Sequence, residues 1–318
     1  MKITIKDKNQ YIRKCDVESL PIDYADTKCV ELFGKPIKLF NDPWMWHLHL
    51  KCTDTCNANC GFCVEKCHRN DKGNPSNFLY NTDTMLSEME KAGILYSVSV
   101  TGGEPLLFPY FEGLVDVLKD HNIQFLTINT NGTLLDKKIN LLDGVFDVID
   151  LSRHGLSDVE NNEIFRTEVP NIATVRDIKN QLTQTKMRVQ CVSARLNTVD
   201  DMLKFMDVYD FADDISIRRL MKLGEEYGHS YTINDRAYDN FLDYAFNNWE
   251  FKEQTIQDYY VYEIYNDGKR DVTFSYSNMS MLRGVEKTED ENFFREFIIH
   301  PDGCVSGSWG KDNKILLT

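Results

Sequence analysis

From Trp46 to Leu220 the chain alternates short apolar runs with amphipathic stretches, and that alternation limits the folds open to it. Strands are expected at Trp46–Leu50, Leu95–Val100, Ile123–Asn129, Phe146–Ser152, Met187–Ala194 and Asp214–Leu220. Helices are expected between them: Asp83–Ala92, capped by Thr82 or Asp83; Pro109–Asp120, with Phe111, Leu114, Val115 and Leu118 apolar; and Leu134–Leu142. A further helical region ends near Thr183, and Val199–Tyr209 is the last. Strands that alternate with helices build a parallel sheet through right-handed crossovers. Such sheets gather ligands at the carboxyl ends of their strands, so polar residues there are the first functional candidates.

The first strand runs into Cys-Thr-Asp-Thr-Cys-Asn-Ala-Asn-Cys-Gly-Phe-Cys-Val-Glu-Lys-Cys, residues Cys52 to Cys67, which holds five of the nine cysteines. Within it Cys56, Cys60 and Cys63 are spaced Cys-x3-Cys-x2-Cys, and no other triplet in the stretch has that order. A compact loop of thiolates suits a soft, multinuclear iron site. Three such ligands hold three irons of a [4Fe–4S] cube and leave the fourth open to a non-protein ligand. A structural zinc site wants four closed ligands, usually as two distant pairs, although Cys67 and His68 could complete one. A disulfide cluster needs an oxidising compartment, and nothing at Met1–Gln10 resembles a signal peptide.

The second strand ends in Thr101-Gly102-Gly103-Glu104-Pro105. A glycine pair at a strand end lets the backbone approach a ligand closely, and the carboxylate after it can pair with an ammonium group. The cysteine triplet and Gly-Gly-Glu-Pro, about forty residues apart, together resemble the signature of the radical S-adenosylmethionine (radical SAM) superfamily. The resemblance implies a partial (β/α)6 barrel and two cofactors, a [4Fe–4S] cluster on Cys56, Cys60 and Cys63, and SAM. It implies that the cluster cleaves SAM reductively to a 5′-deoxyadenosyl radical, which takes a hydrogen atom from the substrate. It also implies an electron donor of flavodoxin or ferredoxin type. Gly102, Gly103 and Glu104 would receive the SAM amino group, with Phe62 beside the cluster. Asn129 and Asn131 close the third strand, and Ser152, at the end of the fourth, would meet the ribose. Arg166 and Arg195, with Arg153 a further candidate, would take the SAM carboxylate. Arg218 and Arg219 follow the sixth strand's Ile217 and are weaker candidates for adenine or substrate.

Beyond the barrel pattern the chain reads as a preface (1–43), a core (44–222) and a carboxyl-terminal α+β extension (223–318). The preface holds a strand at Lys2–Lys6 and a hairpin, Val30–Phe40, around Gly34-Lys35-Pro36. The extension reads as a helix at Asp235–Trp249 and two hairpins. One is Tyr259–Tyr265 with Val272–Tyr276, and the other is Phe294–His300 with Cys304–Trp309. Similar extensions in the family often carry auxiliary clusters, but Cys304 is the single cysteine here, so none is expected. Cys304 and Cys191 are candidate hydrogen-atom donors, as in a radical SAM epimerase; the plainer reading is small buried hydrophobes. Cys15 and Cys29 read as packing residues, and Cys52 and Cys67 have no assigned role.

With 42% hydrophobic, 27% charged and 12% aromatic residues, the 318-residue chain excludes global disorder. Its net charge of −14 disfavours nucleic acid as substrate, and its apolar runs are too short to span a membrane. A cytoplasmic enzyme acting on a peptide or small natural product is expected. A metal-binding module without catalysis is the alternative from another class.

Overall fold

The computed structural model describes residues 2–17, 27–40, 46–63, 73–220, 235–257, 260–277, 292–310 and 314–318. Its centre is a run of six parallel strands: β4 (Trp46–Lys51), β5 (Tyr96–Thr101), β6 (Phe125–Thr130), β7 (Val148–Ser152), β8 (Lys186–Val192) and β9 (Asp214–Arg218). Each pairs in register with the next, as in Leu48 with Val98 and Leu151 with Val189. The connections carry helices α2 (Pro75–Lys91), α3 (Phe111–Lys119), α4 (Leu135–Leu142), α5 (Asp158–Phe165), α6 (Ile172–Gln181) and α7 (Val199–Val208). Before α2, the preface adds a single turn, α1 (Lys14–Val17). This is the expected mixed α/β architecture with a parallel, partial-barrel core.

The helix following the cysteine loop starts eight residues before the expected Asp83. Asn74 caps it by accepting from the Asn77 amide, and Pro75 occupies the first turn, where a missing N–H costs nothing. Thr82, a candidate cap, lies inside the helix, and its hydroxyl donates to the Phe78 carbonyl. The region between β7 and β8 is two helices, separated around Pro170.

The extension does not stand apart from this sheet. After α8 (Asp235–Asn248) come β10 (Glu250–Gln257), β11 (Tyr260–Asn266) and β12 (Asp271–Ser277). Strand β12 adds to β9 in parallel, β10 and β11 continue antiparallel, and β1 (Lys2–Ile5) closes that edge on β10. At the opposite edge β14 (Phe297–Ile299) pairs in parallel with β4, followed by β15 (Val305–Ser306) and β16 (Ile315–Leu317). The outcome is one thirteen-stranded sheet whose central eight strands, β12 to β14, run parallel. A small second sheet joins the preface hairpin, β2 (Thr27–Leu32) and β3 (Lys35–Phe40), to β13 (Phe293–Phe294). Strand β10 was not expected from the sequence. Its polar residues mask the alternation, and it is held by pairing with β1 from the far end of the chain.

The two faces of the central sheet differ in chemistry. Leu48, Leu50, Val98, Val100, Ile128, Ile149, Leu151 and Met187 pack under the helices in one large core. Val189, Ile215, Ile217, Val272 and Phe274 form a second core with α7 and α8. By the two-residue period of a strand, the intervening residues face the other way. Most of these are polar, among them His49, Ser99, Asn129, Asp150, Ser152, Arg188, Gln190, Ser216, Arg218, Thr273 and Ser275, while Phe125, Val148 and Val192 are apolar. That polar inner face lines the concave side on which a partial barrel admits its ligands.

Candidate functional site

The cysteine loop leaves β4 and is fastened from three sides. Gly103 N donates to the Thr53 carbonyl (2.6 Å) and Glu104 N to the Thr55 carbonyl (2.8 Å), which lays Gly-Gly-Glu along the start of the loop. A Cβ on Gly102, whose φ is +140°, would meet the Thr53 oxygen at 2.4 Å; on Gly103 it would meet the Thr55 oxygen at 2.2 Å. The glycines are therefore required for a close approach of backbone to backbone, not only of backbone to ligand.

Glu104 is 1% exposed. Its carboxylate accepts from the Thr130 hydroxyl (2.7 Å), the Asn131 amide (2.7 Å) and the Leu106 amide (3.2 Å). Asn131 in turn donates through Nδ2 to the Asn57 side chain (2.8 Å), and Asn57 donates to the Thr133 hydroxyl (2.7 Å). One continuous chain of hydrogen bonds thus runs from the end of β5 through the end of β6 to the residue after Cys56. The sequence reading gave Glu104 and Asn131 to SAM, and the structure gives both a scaffolding task as well. Asn129, on the inner face, donates to the Ser99 hydroxyl (3.0 Å).

Burial raises the Glu104 pKa to about 6, against the opposing effect of its hydrogen bonds and of Arg153. The sign follows: the folded state binds the proton more tightly, so this contribution is full below the unfolded pKa near 4.5 and is lost as pH rises through 6. Between pH 4.5 and 7 the wild-type chain is expected to lose about 2 kcal/mol of stability that Glu104→Gln does not lose. Urea melts of the two chains across that window test it, and parallel pH dependence would refute it.

Arg153, a sequence candidate for the SAM carboxylate, is fully buried and committed to backbone carbonyls. It donates to Asn131 O (2.9 Å), Ser152 O (2.6 Å) and Pro170 O (3.1 Å), and burial lowers its pKa to about 10. Next to it His154 is buried and neutral, its pKa lowered to about 3 by burial and then by Arg153. Its Nδ1 accepts from the Val192 amide, and its ring meets Phe62 edge-on at 5.0 Å and stacks on Phe165 at 5.2 Å. His154 had no signal in the sequence beyond its place after Ser152.

The middle and far parts of the cysteine loop rest on apolar side chains. Ala58 packs with Phe165 and Val169 beside Cys56 and Cys60, and Asn59 N donates to the Phe165 carbonyl (2.8 Å). Phe62 packs with Ile164 and Leu220 beside Cys60, Val192 and Ala194. The thiols of Cys56, Cys60 and Cys63 are each partly exposed, and the Ala58 amide donates to the Cys56 sulfur (3.4 Å). Three thiols on an apolar bed, at the carboxyl end of β4, with an amide aimed at one sulfur, suit a sulfur-ligated iron cluster. Among the described residues no three His, Cys, Asp or Glu side chains converge on a single metal ion. Cys67 and His68 lie outside the described residues.

Cys52 is not part of that set. Its thiol is buried, donates to the Thr101 carbonyl (3.4 Å), and has its pKa raised by burial and by Glu104. Arg166 sits beside Phe165, exposed, in the left-handed conformation (φ +55°) that ends α5. Such a φ is uncommon outside glycine and clusters at functional sites. Arg195 is exposed and pairs with Glu163 at 3.7 Å. Ser152 is half-buried at the inner-face end of β7.

The two candidate hydrogen-atom donors separate. As a donor Cys191 would have to point into the barrel; it is instead the plainer alternative, a small buried residue among Val189, Ile215 and Ile217 under α7 and α8. The reason is the period of β8: Arg188, Gln190 and Val192 take the inner face, so Cys191 takes the other. Cys304 is buried in the turn joining β14 to β15, where its amide donates to Asp302 (3.1 Å). That turn also packs on the start of α2, through Asn77 and Asn81.

Comparison with known proteins agrees with this arrangement. The family model described as "Radical SAM superfamily" matches residues 50–180. The GTP 3′,8-cyclase of Clostridium perfringens (strain SM101 / Type A) is 28% identical over 205 residues, covering 56% of each chain. The chain thus spans a little over half the length of the curated relatives it matches first. Among solved structures, SuiB of Streptococcus suis bound to the precursor peptide SuiA superposes with a TM-score of 0.61 at 14% identity. That match covers 86% of this chain and 62% of SuiB. The protein anSMEcpe with bound AdoMet gives 0.58 at 18% identity, covering 85% and 76%. The family uses a [4Fe–4S] cluster and SAM. With its cysteine triplet at the end of β4 and Gly-Gly-Glu packed along the same loop, this chain carries a radical SAM domain over residues 50–180.

Proposed function

We propose that this protein is a radical SAM enzyme that abstracts a hydrogen atom from a peptide or small natural-product substrate bound over the polar inner face. The carrying observation is the position of Cys56, Cys60 and Cys63 at the mouth of that face, on a loop clasped by Gly103, Glu104 and Asn131. When bound on those three thiols, the cluster supplies the electron that cleaves SAM to methionine and a 5′-deoxyadenosyl radical. The chain's own residues bind and orient. The Gly102–Glu104 end of β5 takes the SAM amino group, Ser152 and Asn129 line its path along the inner face, and Arg166 takes its carboxylate. Arg166 is the better placed arginine, because Phe165 beside it packs on the Cys56–Cys60 segment while Arg195 is already paired. Phe62, Phe165 and His154 form an uncharged aromatic wall behind the loop.

A peptide substrate is supported by the fold shared with SuiB, bound in its structure to a precursor peptide, and by strands that widen the sheet at both edges. Likeness to GTP 3′,8-cyclases supports a second reading, a nucleotide. A redox-neutral epimerisation would use Cys304, since Cys191 faces the core. A flavodoxin- or ferredoxin-type protein would deliver the electron. Among the described residues no helix is long and apolar enough to cross a membrane.

The test is anaerobic reconstitution followed by SAM and dithionite. The expected result is 5′-deoxyadenosine, with Arg166→Ala weakening SAM binding about tenfold or more, the loss of a charge-assisted contact. A reconstituted protein that never cleaves SAM would remove the enzymatic reading.

A further inference from the structure

On the inner face, three neighbouring strands bring hydrogen-bond donors into one lateral row. The β12–β9 register sets Ser275 beside Arg218, and the β11–β12 register sets Tyr262 beside Ser275. Their chain neighbours Ile217, Phe274 and Val261 are in the core under α7 and α8, which turns this row to the polar side. Arg218 is the last residue of β9, so the row lies at the carboxyl end of the strands, level with Val192 of β8.

Exposed Lys186 aside, two other cations on this side of the sheet are matched. Arg188 holds Asp150 through two hydrogen bonds (2.5 and 2.8 Å), and Lys51 meets Asp54 at 2.8 Å. Arg218 differs. Among the described residues the Arg218 guanidinium, the Ser275 hydroxyl and the Tyr262 phenol make no hydrogen bond or ion pair. Arg218 and Tyr262 are half-buried and Ser275 is buried, and the Tyr262 ring is steadied by stacking with Tyr260 at 6.2 Å. Withdrawing a guanidinium from water beside two unused hydroxyls costs stability unless a ligand completes the set. A planar fork of N–H groups with two O–H donors alongside is complementary to an oxyanion. Burial raises the Tyr262 pKa, which keeps the phenol a donor; Arg218 opposes that rise, and Glu296 and Arg188 are the other charges that act on it.

We propose that Arg218, Ser275 and Tyr262 form a subsite for an anionic group of the substrate, a carboxylate or a phosphate. The proposal rests on the reading of the inner face as the substrate chamber and adds what that substrate must carry. A carboxylate fits a peptide terminus or acidic side chain, and a phosphate fits a nucleotide.

The experiment titrates the full-length, cluster-loaded protein, saturated with SAM, with acetate and separately with inorganic phosphate at constant ionic strength, read by calorimetry. One of the two anions is expected to bind saturably, and which one binds more tightly identifies the source. Arg218→Gln is expected to weaken that binding about tenfold or more. Tyr262→Phe and Ser275→Ala should each weaken it by about threefold to fivefold, and Arg218→Lys should restore part of the loss. SAM binding should be unchanged in Arg218→Gln. Failure of both anions to saturate, equal binding by wild type and Arg218→Gln, loss of SAM binding in Arg218→Gln, or sensitivity to Arg166→Ala instead would each overturn the proposal. If Arg218→Gln does not fold, the two hydroxyl variants decide. Anion binding is read without turnover, so its failure is separable from a failure to form 5′-deoxyadenosine.

Discussion

Alanine at any one of Cys56, Cys60 or Cys63 is expected to abolish 5′-deoxyadenosine formation, a loss of about a thousandfold or more, while the fold persists. The three side chains lie partly exposed on a loop whose anchors are elsewhere, in Thr53, Thr55 and Asn57, so the scaffold does not depend on them. Cys52→Ala is the informative contrast. That thiol is buried against the Thr101 carbonyl with its pKa raised, so its removal should cost about 1–2 kcal/mol and leave iron content intact. Iron analysis and product assay on the four variants check both halves. Iron retained by Cys60→Ala but lost by Cys52→Ala would reverse the assignment.

Gly103→Ala is expected to be the most damaging single methyl group that can be added to the chain's site. The new Cβ would lie 2.2 Å from the Thr55 oxygen, 2.6 Å from its carbonyl carbon and 2.9 Å from the Asp54 oxygen. All three are backbone atoms, so no side chain can turn aside to relieve the overlap. Either β5 or the cysteine loop must move, at a cost of about 3 kcal/mol or more, and both hydrogen bonds that align them go with it. The expected signature is a lowered melting temperature together with poor cluster incorporation. By contrast, Gly34→Ala and Gly268→Ala, which would meet nothing within 4 Å, cost only the strain of their positive φ. A Gly103→Ala chain that melts with wild type and takes up a full cluster would show that the close packing of these two segments is not needed.

Much of this site was legible because its chemistry is local in the chain. A Cys-x3-Cys-x2-Cys loop and a Gly-Gly-Glu-Pro turn are short enough for their spacing to constrain their geometry, and each follows a strand with an unmistakable apolar run. The β11–β12 hairpin was legible for the same reason, through Asn266-Asp267-Gly268. What escaped is non-local. Arg153 reads like any arginine near a ribose site until burial commits it to three carbonyls, one of them Pro170, seventeen residues on. Cys191 reads as a thiol on a barrel strand, and a shift of one residue in the phase of β8 decides which face receives it.

The sequence by itself determined the parallel core, the cysteine triplet and the resemblance of residues 50–180 to radical SAM domains, since these rest on periodicity and on motifs a few residues long. Only the tertiary structure decided that Glu104 and Asn131 tie the cysteine loop to two strands, that Cys52 is buried apart from the triplet, and that Arg218, Ser275 and Tyr262 share a row. Those arrangements depend on registers between strands far apart in the chain, and pairing register is fixed by the whole sheet rather than by any one segment of it.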